Sequence, residues 1–114
     1  MFIAAAFAAM AALEAPQETP RPLPYEEAVR CAGLTQAASE LEGGESAEGK
    51  ALYDAALYWS LAAMQAATAG GRDPAAAERE QTRARLVSVQ KLTAGDAPSR
   101  AALARCRQLT PDLG

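Results

Sequence analysis

The sequence predicts an all-α protein: a small four-helix antiparallel bundle, up-down-up-down or two stacked helical hairpins. Three observations point there. About a quarter of the 114 residues are alanine, the best helix former, while valine and isoleucine are scarce. Apolar residues recur at intervals of three and four. Glycine and proline fall at spacings that cut the chain after its first 24 residues into four helical lengths.

The opening stretch, MFIAAAFAAMAAL, carries no charged side chain. Its roughly 20 Å of helix is short for a membrane span and matches the apolar core of a secretory signal. Ala9-Met10-Ala11 fits an A-x-A cleavage pattern, and Leu13-Glu14-Ala15 offers a looser site. The absence of Lys or Arg ahead of the run departs from the usual signal. Residues 1–15 therefore read as a signal peptide or N-terminal apolar leader. An uncleaved anchor and an alanine-rich helix of the fold are the competing readings. Residues 16–24 hold Pro16, Pro20, Pro22 and Pro24, and read as an extended Pro-rich tether. Residues 25–114 are the helical domain.

The first helix is expected from about Tyr25 to Leu41, with Pro24 at its start and Glu26 and Glu27 favourably placed in its first turn. Its apolar stripe is Tyr25, Ala28, Cys31, Leu34, Ala38 and Leu41, and Gly43-Gly44 stops it. The second is expected from Ala47 to Ala69, capped by Ser46 and stopped by Gly70-Gly71. Leu52, Ala56, Trp59 and Ala63 cover one side of it, and Tyr53, Leu57, Leu61 and Met64 another. A helix apolar on so much of its circumference is expected at the centre. Asp73-Pro74 starts the third helix, with a stripe of Thr82, Leu86, Val89 and Thr93 and with Gly95 as its end. Asp96 is expected to cap the fourth, which continues through Leu103, Cys106 and Leu109 to Thr110 and stops at Pro111. No second copy of any segment recurs at a fixed period.

Cys31 and Cys106 fall on the apolar stripes of the first and last helices, which neighbour each other in an up-down bundle. In an oxidising compartment an even cysteine count argues for a disulfide. Closing a loop of about 75 residues is worth roughly 4 kcal/mol by the chain-entropy estimate. That is large for a core of methyl groups, each contributing about 0.8 kcal/mol. Two buried free thiols are the alternative.

Several chemistries are closed. With no histidine, Ser-His-Asp and Cys-His catalysis and His-ligated metal sites are excluded. A net charge of −3, with no basic stripe and no Gly-rich phosphate loop, speaks against nucleic acid. No cofactor or metal is expected, and enzyme activity is not. Asp54, mid-helix beside Lys50 and Tyr58, reads as an exposed ion-pair member. Acids dominate between Glu18 and Asp54 and bases between Arg72 and Arg107. The first reading of this asymmetry is two halves of one bundle that attract each other; the other is a basic face for an acidic partner. Tyr53, Tyr58 and Trp59 cluster within seven residues. With Met64 they are the candidate contacts for a partner or ligand, against core packing as the default reading.

The expectation is thus an exported, periplasmic or secreted, small helical protein. Its role is structural or protein-binding, toward an unidentified partner in the cell envelope, with no membrane contact once the leader is cleaved. The alternatives are a carrier of small apolar ligands, with a cavity beside Tyr53, Trp59 or Met64, and a membrane-anchored accessory subunit.

Overall fold

The computed structural model describes residues 23–112. The leader at 1–15 and all of the tether but Leu23 and Pro24 lie outside the described residues. The described chain forms four helices: α1, Tyr25–Glu42; α2, Ala47–Ala69; α3, Pro74–Thr93; and α4, Ala97–Leu109. Links of three or four residues join them, so successive helices reverse direction. This is the expected all-α four-helix bundle.

Local chemistry sets the boundaries where the sequence places them. Ser46 Oγ accepts the Gly49 N–H at 2.9 Å. Asp73 accepts the Ala76 N–H at 3.2 Å, with Pro74 opening the helix behind it. Asp96 accepts both the N–H and the hydroxyl of Ser99, at 3.1 and 2.6 Å. These bonds hold the Asp96 carboxyl below its usual pKa, the Ser99 hydroxyl contributing most. Each cap satisfies a backbone donor that the first helical turn leaves without a partner. Between α3 and α4 the chain turns at Gly95, whose φ of +74° suits glycine alone at little cost.

The centre of the bundle is α1, not α2. Five consecutive residues of α1, Cys31 to Thr35, are buried. At 100° per residue they cover more than a full turn, so at this level α1 is enclosed on every side. It touches all three other helices, whereas α2 and α3 meet only lightly. The enclosed residues are small because neighbouring backbones come close. A Cβ added at Gly33 would stand 2.7 Å from the carbonyl carbon and Cβ of Ala84 on α3. In a square bundle the first and third helices lie on a diagonal; here they are in backbone contact.

This arrangement overturns several of the expected apolar stripes. One side of α2 is buried as expected, through Leu52, Ala56, Trp59 and Ala63, but Tyr53, Leu57 and Leu61 face out. On α3 the buried line is Ala77, Gln81 and Ser88, with Ala84 between them, while Leu86 is half exposed. Small side chains permit the close crossing and large ones are turned away from it. Leu41 and Leu109, at helix ends beyond the enclosed level, are also half exposed.

The short helix α4 buries only Ser99 and Cys106, with Ala102 and Leu103 partly covered. Thirteen residues with so little apolar burial do not hold a helix in place unaided. Two linkages fasten it. Cys31 and Cys106 stand at disulfide-bonding distance, their Cα atoms 5.5 Å apart, and tie α4 to α1. Trp59, fully buried on α2, donates its indole N–H to Thr110 Oγ1 at 2.8 Å, and the Thr110 hydroxyl donates to the Cys106 carbonyl at 2.7 Å. Among the described residues, the ion pairs Arg72–Glu26, Arg85–Glu40 and Arg107–Glu48 join the acidic half to the basic half. All three are substantially exposed, so each adds at most about 1 kcal/mol. The charge asymmetry is thus absorbed, in part, within the bundle.

Replacing both cysteines by alanine is expected to lower unfolding stability in urea by about 3–4 kcal/mol. Amide hydrogen exchange is expected to lose protection first in α4. A loss under about 1 kcal/mol with α4 still protected would show that the link is not what holds this helix.

Candidate functional site: the outward face of α2 and two grooves

Because α1 takes the centre, α2 is covered on one side only. Its other side presents Tyr53, Leu57 and Leu61, which are 56%, 48% and 63% exposed. Spaced four apart, they form a continuous stripe about 12 Å long on a regular helix. Beside it lies a cleft of about 490 Å³, walled by Tyr53 and Leu57 and closed across α1 by Arg85 of α3. Polar pairs anchor its floor. Gln36 Nε2 donates to Ser60 Oγ at 2.5 Å, and Arg85 donates to both Glu40 oxygens at 3.0 and 3.1 Å.

The four candidate contact residues do not gather on one surface. Tyr53 lies on the exposed stripe. Trp59 points inward to the core around Cys31 and Cys106 and is unreachable for a partner. Tyr58 packs its ring edge-on against Trp59, centroids 5.1 Å apart. Met64 is half buried against Tyr25, Ala67 and Ala77. Leu57 and Leu61, which complete the stripe, were visible in the sequence as the second apolar side of α2; their exposure was not. Asp54 and Lys50 are both exposed.

A second, larger groove of about 610 Å³ runs between α1, α3 and α4. No sequence signal located it, because it forms where three separate helices fail to close over one another. Tyr25 stands at one end. Arg72 lies over its ring, 3.9 Å from the centroid, and pairs with Glu26 at 3.1 Å. The Tyr25 hydroxyl donates a long hydrogen bond, 3.3 Å, to each oxygen of Glu80. Burial, then the charge and hydrogen bond of Glu80, push the Tyr25 pKa above its usual value, against an opposing pull from Arg72.

Among the described residues no group of three or more acidic, cysteine or histidine side chains gathers to hold a metal. No described helix is long and apolar enough to cross a membrane. Comparison with known proteins adds no relative: no family model matches the chain, and no curated protein or solved structure matches it significantly.

The Tyr25 shift has a definite sign. A phenol whose pKa is higher in the folded protein contributes stability that is complete below the unfolded value of about 10 and is lost as pH rises through the folded one. Ultraviolet titration of wild type minus Tyr25→Phe should place the Tyr25 midpoint above that of the unfolded chain. Glu80→Gln should bring it down part of the way, leaving the share due to burial. An unchanged midpoint in Glu80→Gln would remove Glu80 as a cause.

Proposed function

We propose that the protein is an exported helical module that acts by binding another protein of the cell envelope, with no chemistry of its own. Its docking surface is the outward face of α2, and its occupant is an amphipathic helix of the partner. One observation carries this reading: Tyr53, Leu57 and Leu61 form an exposed apolar line on a helix whose opposite side is firmly packed. Helix-in-groove recognition uses apolar anchors at this spacing. A tyrosine adds an amphipathic ring of the kind enriched at interface centres. The adjoining cleft gives an incoming side chain room beside Leu57.

Export is supported by two features. The opening apolar run has the length and small residues of a secretory signal, and Cys31 and Cys106 are placed to form a bond that persists in oxidising compartments. Cleavage of the leader would leave the helical domain, preceded by the proline-rich segment, as the part that engages a partner.

Chemical cross-linking in intact cells followed by mass spectrometry tests both parts. The mature chain is expected to begin after the leader. A partner is expected to be cross-linked to α2 in wild type and reduced at least about tenfold in Leu57→Asp, a half-exposed site where the change costs the fold about 1–2 kcal/mol. Equal recovery of the same proteins by wild type and Leu57→Asp would overturn the docking face. An intact Met1 in a soluble cytoplasmic fraction would overturn export.

A further inference from the structure

The groove between α1, α3 and α4 lies apart from the face assigned to protein binding, and its chemistry differs. Its floor is apolar: Val29 and Leu34 from α1, Ala84 and Val87 from α3, and Ala102 from α4. At about 610 Å³ it falls within the range of small-molecule sites. Charge is arranged around it with a bias opposite to that of the whole chain. Acidic residues outnumber basic ones overall, 14 to 11. The groove, however, is bordered by the cations Arg30, Arg72, Arg83 and Lys91 against the carboxylates Glu26, Glu80 and Asp96.

The carboxylates are already engaged. Glu26 is paired with Arg72, Glu80 accepts the Tyr25 hydroxyl, and Asp96 caps α4 through Ser99. The cations are not engaged to the same degree. Lys91 is close enough to lower the Asp96 pKa but forms no ion pair with it. Arg30 on α1 and Arg83 on α3 have no carboxylate partner among the described residues. These two guanidinium groups border the same apolar floor from different helices.

We infer that this groove binds an amphipathic anion, a molecule with an alkyl or other apolar body and one carboxylate or sulfate head. The apolar body lies along Val29, Leu34 and Val87. The head is held by Arg30 and Arg83, whose planar donor forks suit an oxyanion, with Lys91 adding its charge. A cationic amphiphile of the same body would meet the wrong sign of charge at the rim. A purely neutral one would leave the guanidinium groups without their gain. The site is independent of the α2 face, so either can fail without the other.

Isothermal titration of the full chain with dodecanoate, below its micelle concentration, tests the inference. Dodecyltrimethylammonium is the control of opposite charge. The expected result is one dodecanoate per chain, with the cationic amphiphile bound at least about tenfold more weakly. Arg30→Glu/Arg83→Glu is expected to weaken dodecanoate at least about tenfold, as is Val87→Asp, which places a charge on the floor at an exposed position. Leu57→Asp, on α2, is expected to leave dodecanoate binding unchanged. Absence of dodecanoate binding, equal affinity for both amphiphiles, or loss of binding in Leu57→Asp alone would each overturn the assignment.

Discussion

The bundle depends on how closely the backbones of α1 and α3 approach. Where Gly33 meets Ala84 there is no room for even one more methyl group. From that contact the other features follow. The α1 residues at this level must be small, and they are: Cys31, Ala32, Gly33 and Thr35 surround a single leucine. Thr35 is wholly buried, and its hydroxyl donates to the Cys31 carbonyl at 2.6 Å, so its polar group needs no partner outside α1. With α1 drawn against α3, α2 packs on the remaining side of α1 and keeps a free outer face. A groove opens where α4 is too short to cover the crossing.

Such an interior gains little from any single contact. Most of the buried apolar residues are alanine, so the core is built from many small contributions and one large one, Trp59. That indole contributes up to about 5 kcal/mol of burial and also a hydrogen bond across to Thr110. Around it sit both cysteines, so the largest side chain and the covalent link occupy the same cluster. The two act on the same weak point. The link restricts α4 in the unfolded chain, and the Trp59–Thr110–Cys106 relay orients the end of α4 in the folded one. The exposed ion pairs between the acidic and basic halves add register rather than much energy.

Boundaries were legible in the sequence because they are local. Ser46, Asp73-Pro74 and Asp96 announce helix starts through side chains that reach only three residues ahead, and each caps as expected. The cysteine pairing was legible from two apolar stripes and the order of helices. Burial was not legible, because alanine fits a core and a surface equally well. Leu86 on α3 and Leu61 on α2 look like core residues by hydropathy, yet both face outward. What decides is the crossing at Gly33, and its signal was a glycine kept in mid-helix despite a cost near 1 kcal/mol. The candidate site divides the same way. The aromatic cluster drew notice to Tyr53, while the separation of Tyr53 from Trp59 depended on which helix took the centre. The groove bordered by Arg30 and Arg83 joins residues more than fifty positions apart and has no local signature.

The close crossing of α1 and α3 is tested most directly by the sign of one substitution. In an ordinary helix interior, replacing glycine with alanine raises stability by about 0.5–1 kcal/mol. Equilibrium urea unfolding of Gly33→Ala should show the opposite, a loss of about 1–3 kcal/mol from forcing α1 and α3 apart. Gly44→Ala, at a loop position with open space around it, should change stability by no more than about 0.5 kcal/mol. A Gly33→Ala protein as stable as wild type, or more so, would contradict the close crossing on which the whole arrangement rests.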